Sequence, residues 1–393
     1  MRSGLEVLLS DRLDLVRGVR VGLVCNHTAV DRHLRHAIDL LLEQGVNLVR
    51  LFGPEHGVRA TAQDMEEVDE VRDPVSGLPV ISLYGDDAES LHPDPATLQD
   101  LDVVIFDIQD IGTRFYTYQA TLGFVMAVAG QVDTRVVVLD RPNPINGVTV
   151  EGNLVHPGFE SFVGAYPIAI RHGMTVGELS IYFQSFCNVR CETDVVWCEG
   201  WQRDRWFDQT DLPWVYPSPN MPTLETATIY PGQCLFEATT LSEGRGTTRP
   251  FHLIGAPGLD PDAFVRHAQQ ISEQVGLQGV LYRPAAFNPG FQKHVGRGCT
   301  GLEVHLTDRH ALHATLLGMV LLQAAMRTDP DGFGWRSEPY EFVADVPAID
   351  LLAGNAVLRE CLEADGDLRD VLAQWASDRA TFLERRAECL RYA

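Results

Sequence analysis

The stretch Leu51-Phe52-Gly53-Pro54-Glu55-His56-Gly57-Val58-Arg59-Ala60 decides how the chain is read. An apolar run from Leu48 to Phe52, interrupted only by Arg50, stops at Gly53-Pro54 and gives way at once to an acid, an imidazole and a second glycine. Proline fixes φ and lacks an N–H, so Pro54 ends a strand, and Gly57 permits a turn that few other residues tolerate. The run is predicted to be a buried strand whose C-terminal end presents Glu55 and His56 on a functional loop. The plainer reading of the same residues is a loop acid that caps a helix or faces solvent.

Similar units lie on either side. Val21–Val24 is an apolar strand ending in Cys25-Asn26-His27-Thr28. A helix follows with Leu34, Ala37, Ile38, Leu41 and Leu42 at helical spacing, opened by Asp31 and closed by Gly45. After the central strand comes an acidic excursion, Gln63 to Asp73, read as a solvated surface. Further strands are expected at Leu78–Leu83, Asp102–Asp107 and Val136–Leu139, with a helix across Tyr118–Gly130. Near-continuous apolar strands alternating with amphipathic helices imply a parallel sheet covered on both faces.

Each strand then ends in polar residues: Asn26-His27, Glu55-His56, Asp107 with Gln109-Asp110, and Asp140-Arg141-Pro142-Asn143. Open α/β sheets bind ligands at the edge where these ends gather, so a shared polar cleft is expected there. Singly, each has a structural explanation as a cap, a turn or a satisfied carbonyl partner.

Beyond Val150 the pattern loosens. Thr175 is placed to cap a helix over Val176–Phe186. Trp197, Trp201, Trp206 and Trp214 read as packing under a long loop rather than as a sugar platform. Tyr216-Pro-Ser-Pro-Asn-Met-Pro222 is too rich in proline for helix or central strand. A second unit starts near Leu235, giving expected domains at 1–234 and 235–393. Its loop Thr240–Pro250 sets Arg245 and Arg249 among glycines and hydroxyls, a composition that suits an anion. Gly301–Leu306 alternates as a strand, His310–Met326 reads as a helix, and terminal helices are expected over Gly354–Ala364 and Leu368–Leu390.

With 393 residues, 45% of them hydrophobic, the chain can bury cores in two or three domains. It has no apolar run of about 18 residues and no signal-peptide pattern at its start, so a cytoplasmic protein is expected. A net charge of −23 opposes nucleic acid and anionic membranes. The eight cysteines lack Cys-x-x-Cys pairs, and the spacing of Cys187, Cys191 and Cys198 fits no common zinc pattern. No metal or cofactor is expected. The first strand is not followed by Gly-x-Gly-x-x-Gly, and no nucleophile elbow or His-Glu-x-x-His helix occurs.

Several blocks closely resemble one bacterial family: Gly-Leu-Val-Cys-Asn-His-Thr at 22–28, Phe-Gly-Pro-Glu-His-Gly at 52–57, Phe-Asp-Ile-Gln-Asp-Ile-Gly-Thr-Arg-Phe-Tyr-Thr-Tyr at 106–118 and Leu-Asp-Arg-Pro-Asn-Pro-Ile-Asn-Gly at 139–147. So do Arg-His-Gly-Met-Thr at 171–175, Pro-Ser-Pro-Asn-Met-Pro at 217–222 and Ser-Glu-Gly-Arg-Gly-Thr-Thr-Arg-Pro-Phe at 242–251. The family is DUF1343, whose members include exo-β-N-acetylmuramidases called NamZ. Two departures stand out: Ala60 replaces a frequent glycine, and the export signal that members can carry is missing.

The resemblance implies an α/β fold with a Rossmann-like, mostly parallel sheet domain, a smaller α/β domain after it, and an active-site cleft between them. It also implies hydrolysis of terminal non-reducing N-acetylmuramic acid from peptidoglycan fragments, with Glu55 as catalytic acid. In the matching blocks His56, Asp107 and Glu151 are candidate catalytic partners. Candidate substrate ligands are Asn26, His27, Arg59, Arg114, Tyr116, Asn143, Arg171, His172, Asn220, Glu243, Arg245 and Arg249, with Arg245 and Arg249 preferred for the lactyl carboxylate. Glycosidases of this kind usually need a second carboxylate. Asp107, Asp110, Glu151, Glu225 and Glu243 all fit, as do retaining, inverting and substrate-assisted routes. The alternative is a non-catalytic muropeptide sensor that uses the same cleft.

Overall fold

In the computed structural model of the chain, residues 1–55, 57–58, 72–85 and 87–393 are described. The expectations for His56, Arg59, Ala60 and positions 63–71 therefore lie outside the described residues. Six strands, β1 (Arg20–Cys25), β2 (Asn47–Gly53), β3 (Val80–Ser82), β4 (Val103–Asp107), β5 (Arg135–Leu139) and β6 (Thr193–Val196), form one parallel sheet in the order 3-2-1-4-5-6. That is the order of doubly wound nucleotide-binding sheets, and its topological switch lies between β1 and β4. Helices α1 (Gly4–Asp11), α2 (Ala37–Glu43), α3 (Tyr118–Ala129) and α4 (Val176–Phe186) cover the sheet.

Alternation along the strands builds two cores. Val21, Leu23, Leu51, Ile105 and Val137 face α1 and α2. Val24, Phe52, Val104, Phe106 and Val138 face the other way, into a core that runs without a break into the second half of the chain. Complete burial of such side chains contributes about 1.5–3 kcal/mol each, so this face fixes the two halves against one another.

The second half carries α5 (Leu224–Gln233), β7 (Leu253–Ala256), α6 (Pro261–Val275), β8 (Val280–Phe287), β9 (Cys299–Leu306) and α7 (Ala314–Thr328), followed by α8 (Ala348–Ala353), α9 (Val357–Glu363), α10 (Leu368–Gln374) and α11 (Ala376–Ala387). Its three strands form an antiparallel sheet in the order β7-β9-β8. Among the described residues no helix is long and apolar enough to cross a membrane.

Thr175 caps α4 as expected, in a capping box with Glu178. Asp31 does not cap α2. Its carboxylate accepts from the backbone N–H groups of His33 and Arg35 at 2.9 Å each, and this closes a local turn. Leu34, in left-handed conformation, is left exposed, and the helix begins at Ala37 with His36 as its cap. The expected strand 78–83 is limited to β3, and the helix expected from His310 starts at Ala314, capped by His313.

Candidate active site

Glu55 follows β2 directly. The Gly57 N–H donates to the Pro54 carbonyl at 2.8 Å with Gly57 at φ +78°, which turns the chain immediately after the acid. The side chain is 7% exposed, and Thr117 Oγ1 donates to its Oε2 at 2.8 Å. Thr117 precedes α3 at the end of the long loop from β4. The turn bond from Tyr116 N to the Thr113 carbonyl, and the bond from Arg114 N to the Ile170 carbonyl, hold that loop. The segments that follow β2 and β4 thus place an acid beside a hydroxyl.

These groups form one wall of a small pocket. Phe115, Tyr116, Tyr118 and Val163 belong to the same wall, and Ser218 and Met221 come from the proline-rich loop. Tyr118 Oη donates to the Pro217 carbonyl at 2.8 Å, which ties that loop to α3. The facing wall is Tyr230, Glu237, Arg245, Phe251, Tyr340 and Glu341, all from the second half of the chain. Rings run across the floor: Tyr118 to Tyr116 at 5.0 Å, Tyr116 to Tyr230 at 5.8 Å and Tyr230 to Phe251 at 4.8 Å, each edge to face. Burial pushes the Tyr116, Tyr118, Tyr230 and Tyr340 hydroxyls well above the ordinary phenol range, so they stay protonated and can donate.

Charge in the facing wall is organised around Arg245. Its guanidinium bonds Glu237 and, at 3.1 Å, Glu243, and it lies 5.1 Å from the Phe251 ring centre. Glu243 also meets Lys293 Nζ at 2.8 Å. Burial alone would raise the Glu243 carboxyl, but Lys293 and Arg245 outweigh it and hold the group below its ordinary value. Tyr340 Oη donates to Glu237 Oε2 at 2.6 Å.

Of the residues singled out in the sequence, the structure brings Glu55, Tyr116 and Arg245 to this pocket, with Glu243 directly behind Arg245. Asn220 is buried between Ser218 and Met221 in the proline-rich loop. His27 Nε2 donates to the Tyr216 carbonyl at the start of that loop. The other named residues that the structure describes are outside the pocket lining and bond to groups of the chain itself. Arg141 grips Asp107 in a two-pronged pair at 2.5 and 2.9 Å, fully buried beneath the strand ends. Glu151 pairs with Arg171 at 2.9 Å and accepts from the N–H of Thr315 at 2.8 Å. Burial would raise this carboxyl, yet His313 and Arg171 hold it well below the usual range. Arg114 donates to the carbonyls of Asn153, Ile168 and Leu352 with its side chain fully buried. Asn26 folds back on Thr28, Asn143 bridges Ile145 and Met174, and His172 accepts from the Met174 N–H with Asp110 3.4 Å away. Arg249 pairs with Glu303 at 3.2 Å and Glu225 at 3.5 Å.

Sequence reasoning passed over Glu237, Tyr118, Tyr230, Tyr340 and Glu341. For Glu237 a clue was present: it is a single acid inside the apolar run Cys234-Leu235-Phe236-Glu237-Ala238, and lone buried charges of this kind are rarely idle.

Comparison with known proteins places this geometry. The family model for the N-terminal part of exo-beta-N-acetylmuramidase NamZ matches residues 21–225, and the model for its C-terminal part matches residues 228–392. The chain belongs to the NamZ family. It is 38% identical over all 393 residues to the peptidoglycan beta-N-acetylmuramidase NamZ of Bacillus subtilis (strain 168), and covers 91% of that protein. Two crystal structures of DUF1343 family proteins from Bacteroides fragilis NCTC 9343 align with its full length. One has a TM-score of 0.88 at 32% identity and is covered to 99%; the other has 0.75 at 27% and is covered to 98%. The two NamZ models meet near the start of α5, the helix that leads to Glu237.

Proposed function

We propose that the chain is an exo-β-N-acetylmuramidase that removes N-acetylmuramic acid from the non-reducing end of peptidoglycan fragments, with Glu55 as general acid. The observation that carries this reading is a buried carboxylate at a strand end, in a pocket walled by both halves of the chain. The units 1–234 and 235–393 both contribute to the lining, the first from Glu55 to Tyr230 and the second from Glu237 to Glu341. The aromatic side chains of the pocket lining suit the apolar face of a pyranose. In the reaction Glu55 gives its proton to the glycosidic oxygen as the bond from that oxygen to the anomeric carbon breaks. The substrate in this reading is a disaccharide or muropeptide that ends in N-acetylmuramic acid.

The test compares matched glycans that end in N-acetylmuramic acid or in N-acetylglucosamine. Release of free N-acetylmuramic acid from the first and no product from the second is expected. Binding of the first without any turnover would make the protein a sensor and overturn the proposal.

A further inference from the structure

Resting on that reading, we propose that Glu237 is the second catalytic carboxylate: it attacks the anomeric carbon of the bound N-acetylmuramoyl residue while Glu55 protonates the departing oxygen. Glu55 and Glu237 both line the same pocket, and double displacement at one carbon requires two carboxyl groups at one site. The carboxylates singled out in the sequence do not offer this. None of Asp107, Asp110, Glu151, Glu225 and Glu243 is among the residues that line that pocket.

The surroundings of Glu237 fit a nucleophile better than a base. Arg245 contacts one oxygen and the Tyr340 hydroxyl donates to the other, and both contacts favour the ionised form. A base must take up a proton, which the neighbouring guanidinium opposes; a nucleophile need not. Glu237 also sits on the short 3₁₀ helix Cys234–Ala238, which continues α5. Glu341, the other acid in the wall, lies in a loop in left-handed conformation. Reacting groups are held best on regular elements.

The steps balance. A Glu237 oxygen bonds the anomeric carbon as the glycosidic bond breaks. That bond's electron pair stays on the leaving oxygen, which takes the proton of Glu55. Glu55, now ionised, then removes a proton from a water whose oxygen displaces Glu237, and both carboxyl groups return to their starting states.

The experiment uses an aryl β-N-acetylmuramide with a 2,4-dinitrophenyl leaving group, which departs without protonation. Glu237→Gln is expected to lose more than roughly 10³-fold in kcat/KM on it, as removal of a nucleophile does. Glu55→Gln should lose much less. Glu237→Gly with added azide should yield the α-glycosyl azide. Retention of a tenth or more of the activity by Glu237→Gln, or absence of the α-azide, overturns the assignment. If the Glu237 variants fail to fold, a 5-fluoro analogue of N-acetylmuramyl fluoride is applied to the wild-type protein. A label on Glu237 supports the proposal, and a label elsewhere or none overturns it. A wild-type protein inert on every muramide would instead sink the functional reading itself.

Discussion

Arg245 meets the pocket with its charge already shared between Glu237 and Glu243. Its expected part is to hold Glu237 ionised, and Arg245→Ala should lower kcat by roughly 10- to 100-fold, the worth of a charged hydrogen bond of about 1.5–3 kcal/mol. The preference for muramic over glucosamine substrates should change little. Arg249→Ala, which cuts the pairs to Glu225 and Glu303 outside the pocket lining, should leave both within about twofold, as expected for half-exposed pairs. Steady-state kinetics on matched glycosides checks both, and a narrowed preference in either variant would return the lactyl carboxylate to that arginine. At this scale Glu55 was legible because Gly53-Pro54 and Gly57 bracket it. Arg114 and Arg171 were not, because a fully buried guanidinium satisfied by carbonyls or a carboxylate reads in sequence like one facing a ligand.

The helix pair α5 and α7 sets the position of Glu237. A side-chain carbon on Gly232 would lie 2.0 Å from the Ala314 carbonyl oxygen, and one on Gly318 would lie 2.1 Å from that of Gly232, so the helices touch backbone to backbone. Gly318→Ala is expected to cost about 1–3 kcal/mol through overpacking, seen as a lowered Tm, and to reduce kcat as the Glu237 turn shifts. An unchanged Tm would show that the contact is not close. The Glu151–Arg171–His313 cluster is a second structural device. Glu151→Gln leaves a buried guanidinium uncompensated and should cost about 3–5 kcal/mol, with turnover per folded molecule preserved. Turnover lost without loss of stability would restore Glu151 as a catalytic candidate. The parallel strands β1, β2, β4 and β5 could be read from sequence because each carries a nearly continuous apolar run. β8 could not, since its residues alternate between exposed and half-buried and give no apolar run, and β6 is four residues at the sheet edge.

Across the whole molecule both chain ends close on one residue, Asp140. Gly4 donates its N–H to the Asp140 carbonyl, and Tyr392 and the Gly177 N–H donate to the Asp140 side chain. Burial, only partly countered by Tyr392 and Gly177, pushes Asp140 up to about 7. Because the folded value lies above the ordinary 3.8, the stability this group lends is complete below that ordinary value and is lost as pH rises through about 7. The Tm of wild type relative to Asp140→Asn should therefore rise as pH is lowered from about 8 to about 5, and a constant difference would show that Asp140 does not titrate in this window. The same closure leaves the pocket at the seam of the two halves, where the most direct test is made on Glu55→Gln. At its pH optimum the variant should lose about 10²–10⁴-fold in kcat on a natural N-acetylmuramoyl disaccharide, with binding and Tm close to wild type. A variant that keeps more than about a tenth of the wild-type kcat, far outside that loss, would contradict the assignment of Glu55 as the acid.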